Sequence, residues 1–161
     1  KIEEERGFSE KVTLLKASIY ENNEEYELAL VELGKMMIIF PEAIQFRIVA
    51  AELCMKSGKE DEAARYYLEM LEVDSTNIFA ITNLTDYYRK KEDYQNSFRY
   101  LSKSFASTMI DARRKMAILS FYLSEEKFVN DYPGELANLL DVLIAVHPEE
   151  YDAAWYHGRD F

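Results

Sequence analysis

The sequence predicts an all-α protein made of repeated helix–turn–helix units. Only five Gly and three Pro occur among the 161 residues, too few for the many tight turns of an all-β fold. Strong helix formers (Ala, Leu, Glu, Lys and Met) dominate every longer window instead. The third observation is a repeat, because segments 24–40, 58–74 and 92–108 begin 34 residues apart and share one pattern of small and apolar positions.

The same interval holds in the helix that precedes each of these segments. Two positions recur four times each: Tyr20, Cys54, Tyr88 and Tyr122, and one turn earlier Ala17, Ala51, Thr85 and Leu119. Antiparallel helices joined by a few residues approach closely, which requires a small side chain at the crossing and a larger one beside it. One pair cannot bury its apolar face alone, so the next pair along the chain covers it.

Turns, caps and prolines set the expected element boundaries. The expected helix pairs are 9–22 with 25–40, 42–57 with 60–73, 77–91 with 94–107, and 110–124 with 133–146. Pro41 cannot continue a helix, and Asp74, Ser75 and Asn77 can cap the helix that follows them. We therefore expect a single domain with repeats at about 9–41, 42–75, 76–109 and 110–148, and the start of a fifth at 149–161.

The fourth repeat carries an insertion. Pro41 and Pro148 lie 107 residues apart, which is five more than three intervals of 34. The extra residues belong in the segment SEEKFVNDYPGE, where Pro133 suits the first turn of a helix. A longer connection is therefore expected over residues 125–131.

This pattern resembles the tetratricopeptide repeat (TPR) family, whose 34-residue hairpins carry a small residue in each helix and a closing Pro. Matching residues are Ala17, Tyr20, Tyr26, Ala29 and Pro41 in repeat 1, Ala51, Gly58, Ala63 and Tyr67 in repeat 2, and Tyr88, Tyr94 and Ser97 in repeat 3. The fourth repeat departs most, since it holds the insertion and matches weakly at Leu136 and Ala137. The resemblance spans about residues 11–148. It implies a right-handed superhelical solenoid whose first helices line a concave groove.

The two ends of the sequence and its net charge limit the expected partners and compartment of the protein. The chain begins at Lys1 without Met and ends at Phe161 inside an expected helix, so we expect a piece of a longer protein. The compartment stays open between a bacterial cytoplasm and, if a signal peptide was removed, the periplasm or cell envelope. A net charge of −11 would repel a phosphate backbone, so nucleic acid is not the expected partner. No apolar stretch has the roughly 18–20 residues that a membrane span needs.

No residue pattern calls for catalysis, a metal or a cofactor. Cys54 lies at a repeated core position without a His nearby in sequence, and it is expected to be a packed thiol. His147 and His157 lie ten residues apart, without a Cys partner or the spacing of helical zinc ligands. Glycine-rich phosphate loops and nucleophile motifs are missing from the sequence. The chain is therefore interpreted as a non-enzyme that needs no cofactor.

The resemblance implies a peptide-binding site on the first helices of the repeats. Side chains in the phase that would face the groove are Gln45, Ile48, Glu52, Met55, Phe79, Asn83, Asp86, Arg89, Arg113 and Met116. The alternative for any one of them is a solvated or packed position. The Lys and Asn clamp with which some TPR proteins hold chaperone tails is absent, since Leu14, Ser18, Phe79 and Asn83 stand at the corresponding places.

The distribution of charge along the sequence suggests a more specific binding site. Residues 86–115 carry eight bases against four acids, whereas the segments on both sides are acidic. Because Arg offers a two-pronged grip on a carboxylate, this segment is a candidate docking surface for an acidic peptide, with a merely solvated surface as the alternative. The primary site would then comprise Phe79, Asn83, Arg89, Arg113 and Met116, and each buried Arg contact would contribute about 1.5–3 kcal/mol.

These inferences favour a non-catalytic scaffold that binds a peptide segment or a partner protein in the concave groove. The alternative is a regulatory or spacer region of a larger multidomain protein, either an enzyme or a cell-envelope assembly factor, whose active part lies outside this piece. We also expect self-association through the C-terminal end, where an unfinished fifth repeat would leave apolar surface at Leu139, Leu143, Trp155 and Phe161.

Overall fold

The computed structural model describes residues 2–149, with side chains from Ser9 onward. Within that range every regular element is a helix, which confirms the all-α fold class. The helices are α1 (Ile2–Asn22), α2 (Tyr26–Ile39), α3 (Ile44–Lys56), α4 (Glu60–Val73), α5 (Ile78–Lys90), α6 (Tyr94–Ala106), α7 (Ala112–Ser124), α8 (Glu126–Asp131) and α9 (Pro133–Val146). Their bounds lie within two residues of the expected ones, except that α1 starts earlier and that the inserted residues form α8.

The helices group into two compact units. Residues up to Asn83 form the N-terminal unit, and residues from Leu84 on form the C-terminal unit, so that α5 contributes to both. In the N-terminal unit α1 packs on α2, α2 on α3, and α3 on α4. In the C-terminal unit α9 packs on α6 and α7, and α8 lies against α7 and α9. The single domain expected from the sequence stays a prediction.

The turn inside each of the first three repeats has one conformation. Glu24, Gly58 and Glu92 lie 34 residues apart and all have positive φ, of 60°, 75° and 58°. The next residue in each turn donates its N–H back across the helix end: Glu25 to Tyr20 O at 2.8 Å, Lys59 to Cys54 O at 2.8 Å and Asp93 to Tyr88 O at 3.0 Å. These are the bonds of a Schellman motif, which favours glycine at the left-handed position. Only repeat 2 has that glycine, and in repeat 4 α8 replaces the turn.

Short polar side chains begin several helices. Asn77 accepts a hydrogen bond from the Ala80 N–H at 3.0 Å, which confirms its expected role as a cap. Asp93 and Asp111 cap α6 and α7 in the same way. Each cap satisfies an N–H group that has no partner within its own helix.

Small residues allow close approach in the N-terminal core. Ala17, Ala29 and Ala50 are buried on α1, α2 and α3, and Leu33 and Phe46 fill the space beside them. Ala17 and Ala51 occupy the same repeat position and both are buried, as expected for helix crossings.

The inserted helix α8 joins the C-terminal core through one side chain. Phe128 is the buried residue of α8, and its ring centroid lies 4.9 Å from that of Tyr122 and 5.1 Å from that of Tyr94. Phe98 is 5.0 Å from Tyr122 and 5.3 Å from Tyr132. We call these five rings the aromatic cluster. Because aromatic edges and faces attract one another, the cluster fixes α8 against α6, α7 and the start of α9.

One position of the repeat holds a cationic side chain that is not exposed in two of the four repeats. Residues 34 apart at this position are Thr13, Arg47, Ile81 and Lys115, and none of them is exposed. Arg47 Nη1 donates to the Pro41 carbonyl at 2.7 Å, and Lys115 Nζ donates to the Ser107 carbonyl at 2.7 Å. Each cation therefore satisfies a carbonyl just beyond the end of the preceding helix, where positive charge is favourable.

Lys115 is the more deeply buried of the two. Its side chain is fully buried, and Nζ also lies 2.9 Å from Nε2 of His147, the residue that follows α9. Burial lowers the pKa of the Lys115 ammonium, and the carboxylate of Asp111 acts weakly against that shift. The buried amine thus links the α6–α7 connection to the end of α9.

The sequence predicts exposed apolar surface at four residues near the C-terminal end, and this prediction is wrong for two of them. Leu139 is 1% and Leu143 is 5% exposed, and both belong to the core of the C-terminal unit. Trp155 and Phe161 lie outside the described residues, so self-association through this end stays a prediction.

Candidate functional site

The candidate site residues of repeat 2 form a stripe along α3. Gln45, Ile48, Glu52 and Met55 follow one another at intervals of three and four residues, so they share one helix face. Ile48 is half-buried and the other three are exposed. We call the exposed sides of the first helices (α1 and α3 in the N-terminal unit, α5 from Leu84 and α7 in the C-terminal unit) the first-helix faces.

Polar contacts show that α1 lies beside this stripe. Gln45 Nε2 donates to Glu10 Oε2 at 3.4 Å, and Lys56 pairs with Glu21. Both contacts join residues 35 positions apart, which is one repeat plus one residue. Gln45 is therefore already engaged with the neighbouring repeat, whereas Met55 keeps 39% of its surface exposed.

Phe79 and Asn83 are both half-buried on α5. The Phe79 ring packs edge-on against Tyr67, with centroids 5.8 Å apart. Asn83 Nδ2 donates to the Phe79 carbonyl at 2.8 Å, within its own helix. Asn83 keeps its side-chain oxygen and one N–H for a ligand. Much of the Phe79 ring is committed to the N-terminal core.

Asp86 and Arg89 form an exposed ion pair near the end of α5. Arg89 Nη2 lies 3.1 Å from Asp86 Oδ1, and both side chains are well exposed. The pair is close enough to Tyr122, in the last turn of α7, to influence its pKa. Burial raises the pKa of the Tyr122 phenol, and the charge of Arg89 opposes that rise. Arg89 therefore lies beside the C-terminal end of α7.

Arg113 and Met116 belong to the opposite end of α7. Both are exposed, and their spacing of three residues puts them on one face. Arg113 precedes Tyr122 by nine residues, which corresponds to about 13 Å along the helix axis. Arg113 therefore lies near the start of α7 and Arg89 near its end, so they are two separate positions on the first-helix face of the C-terminal unit.

Exposure also lowers the energy expected from each arginine. An exposed ion pair typically contributes about 0.2–1 kcal/mol, whereas the value of about 1.5–3 kcal/mol expected from the sequence assumes a buried contact. Arg89 must moreover exchange Asp86 for the carboxylate of a ligand. We therefore revise the contribution of each arginine to at most about 1 kcal/mol.

The basic segment 86–115 does not form one surface. Arg113 lies on the first-helix face, Arg99 and Lys103 are exposed on α6, and Lys115 is fully buried. Lys115 therefore cannot belong to a docking surface, and docking of an acidic peptide on the other basic residues of this segment stays a prediction. Sequence reasoning could have found the burial of Lys115, because the residue 34 positions earlier is the apolar Ile81.

Sequence reasoning also missed a groove on the second helices of the C-terminal unit. It lies between α6 and α9, is largely open to solvent and has a volume of about 460 Å³. Its lining residues are Gln95, Phe98, Arg99, Ser102, Gly134, Glu135 and Asn138. The available signal was spacing, since Gln95, Arg99 and Ser102 follow one another at four and three residues along α6.

Two kinds of reactive group can be checked among the described residues, a thiol and a metal site. Cys54 is buried, as expected, and burial raises the pKa of its thiol, so it is a poor nucleophile. Between Ser9 and Glu149 no group of three or more His, Cys, Asp or Glu side chains is arranged to hold a metal ion. Within the described helices, none is long and apolar enough to cross a membrane.

The helix pairs, their 34-residue interval and their shared turns define an all-helical repeat fold of the TPR type. No family model matches the sequence, and no curated protein matches it. Among solved structures, the fold is similar to the crystal structure of MamA protein, a TPR-containing protein, with a TM-score of 0.61. The match covers 88% of this chain and 75% of that chain at 13% identity, so it shows the fold alone.

Proposed function

We propose that this chain is a non-catalytic scaffold that binds an extended peptide segment of a partner protein on its first-helix faces. The TPR-like fold supports a protein partner in general. The proposal of a peptide ligand rests on the mixture of exposed polar, charged and apolar side chains that these faces present. Small-molecule sites, by contrast, are usually concave and mostly apolar.

The separation of Arg89 and Arg113 carries the proposal. An extended strand advances by about 3.3 Å per residue, so about four residues span the 13 Å between the two positions along α7. A peptide with two acidic side chains about four residues apart can therefore reach both arginines at once. Met116 lies between them and offers apolar contact to a side chain in the middle of the peptide.

The N-terminal unit offers a second stretch of the same kind of surface. Along α3, Glu52 and Met55 are exposed, and Ile48 is partly so. Gln45 and Asn83 each have polar atoms that can bond a peptide main chain. We propose that these residues form a separate site within the N-terminal unit, which binds a peptide through main-chain and apolar contacts. The arginines of the C-terminal unit select acidic side chains at their own site.

The test uses fluorescein-labelled synthetic peptides that carry two Glu residues at increasing spacing in a Ser, Ala and Leu background. Fluorescence anisotropy should show the tightest binding at a spacing of about four residues. Arg113→Ala should weaken that binding about threefold to fivefold, as expected for one exposed ion pair. Asp86→Asn should strengthen it, because Arg89 no longer has to leave a competing carboxylate.

Arg114→Ala is the matched control. Arg114 is the next residue on α7 and is equally exposed, but it is rotated by about 100° around the helix axis. Equal losses in Arg113→Ala and Arg114→Ala, or binding that does not depend on Glu spacing, would mean that only the overall charge of the region matters. Either result contradicts the proposed site.

A further inference from the structure

The groove between α6 and α9 is a second candidate site, on the other side of the hairpins from the first-helix faces. Its α6 wall presents Gln95, Arg99 and Ser102 on one helix face, and its α9 wall presents Glu135 and Asn138. Phe98, buried at 4% exposure, forms the floor. The groove has a volume of about 460 Å³ and is shallow and largely open to solvent.

Two features of the α9 wall bear on ligand entry. Gly134 has no side chain, and a Cβ at that position would meet no atom within 4 Å. Next to it, the aromatic cluster fixes the start of α9, because Tyr132 directly precedes Pro133 and packs on Phe98 at 5.3 Å. The start of α9 is thus held in place by packing.

The walls carry opposite charges that are not paired with each other. Arg99 is exposed on the α6 side, and Glu135 is half-buried on the α9 side. No ion pair involves either group among the described residues. Lys103, one turn after Arg99 and exposed, extends the positive side. A ligand with an acidic group toward α6 and a basic group toward α9 would be complementary to this arrangement.

The amide side chains supply the remaining specificity. Asn138 Nδ2 donates to Ser102 Oγ at 3.0 Å, which fixes its orientation and leaves its oxygen and one N–H toward the groove. Gln95 on the opposite wall has both a donor and an acceptor. A peptide main chain alternates N–H and C=O groups and can bond to both side chains, whereas a hydrocarbon ligand would leave them unpaired.

We propose that the α6–α9 groove binds a short extended peptide in which an acidic side chain faces Arg99 and a basic side chain faces Glu135. This inference is independent of the proposed first-helix site, because the groove is formed by other helices and by different residues. It assigns the two faces of the C-terminal unit to different peptide chemistries: two acids on the first-helix face, and one acid with one base in the groove.

The probe is a series of labelled synthetic peptides, each with one Glu and one Lys at increasing spacing in a Gly, Ser and Val background. Anisotropy should show saturable binding for at least one spacing, and amide chemical shifts should change along α6 and the first turns of α9. Arg99→Glu should weaken this binding by about tenfold or more, because like charges then face each other. The double variant Arg99→Glu with Glu135→Lys should recover binding to the peptide in which Glu and Lys are exchanged.

Two further variants separate this site from general charge effects. Gly134→Leu fills the groove without changing charge and should abolish binding, whereas Gly134→Ala should leave it within about twofold, since a Cβ meets nothing there. Arg113→Ala, on the first-helix face, should have no effect on these peptides. The inference is overturned if no peptide of the series binds, or if binding is insensitive to both Arg99→Glu and Gly134→Leu while circular dichroism shows an intact fold.

Discussion

Replacing Phe128 by Ala tests whether the inserted helix α8 is held by one side chain. Phe128 is 8% exposed and is the buried residue among the six of α8. Four rings of the aromatic cluster surround it, with centroids from 4.9 Å at Tyr122 to 6.3 Å at Tyr132. A helix of this length is not stable by itself in water. The docking of α8 therefore depends on this ring.

The expected loss of stability is large. Removing a buried Phe side chain costs about 3–5 kcal/mol, through lost burial and the cavity left behind. A six-residue helix can collapse partly into the cavity, so we expect the lower end, about 3 kcal/mol. The lost edge-to-face contacts with Tyr94 and Tyr122 are included in that value.

Urea unfolding followed by far-UV circular dichroism measures the change, and amide hydrogen exchange shows where it acts. We expect Phe128→Ala to lose protection throughout α8 and in the first turn of α9. Val129→Ala is the matched control, because Val129 is the next residue and is 41% exposed; it should cost less than about 0.5 kcal/mol. A loss below about 1 kcal/mol with α8 still protected would refute the idea that Phe128 anchors the insertion.

Three further substitutions test the turns and the buried amine. Glu92→Gly should raise the free energy of unfolding by up to about 1 kcal/mol, because glycine adopts the left-handed conformation without strain. Gly58→Ala should lower the free energy of unfolding by about 1–2 kcal/mol for the same reason. Urea midpoints that move in the opposite directions would contradict the shared turn conformation. Gly34→Ala, inside α2 with open space around its Cβ, is the control and should stabilise by about 0.5–1 kcal/mol. Because burial lowers the pKa of Lys115 below its ordinary 10.5, the unfolded chain holds this proton more tightly. The contribution of Lys115 to the unfolding free energy should therefore rise with pH over the range ending near 10.5. Lys115→Met lacks this contribution, so its stability relative to the wild type should fall with rising pH in urea titrations, and a constant difference would contradict the assignment.

Most of the fold could be predicted because each helix pair is encoded locally and then copied. The recurring Ala17 and Ala51 mark helix crossings, and Pro41 and Asn77 mark ends and beginnings, so element bounds follow from residues close in sequence. The insertion was visible as a break in the interval, but its helical form was not. Phe128 holds α8 in place by packing on rings from α6, from α7 and on Tyr132, and no local pattern reports such contacts.

Much less of the candidate site could be predicted. Helical phase identifies which side of a helix a residue occupies, but it does not show what that side chain already contacts. Arg89 is paired with Asp86, Asn83 bonds to its own helix, and Phe79 packs on Tyr67. The distance between Arg89 and Arg113 along α7 depends on which turns of neighbouring helices lie side by side, and this becomes known only when the helices are placed.

The insertion at α8 has a consequence for how this chain can change in length. Elsewhere in a stacked array, an added residue inside a helix would rotate every later side chain away from its partners, so length can change only by whole repeats. Between α7 and α9 the added residues close on themselves, and α9 still packs on α6. This joint is therefore the place in the C-terminal unit where a longer segment, a tether or a reporter domain can be inserted while the neighbouring helices keep their register.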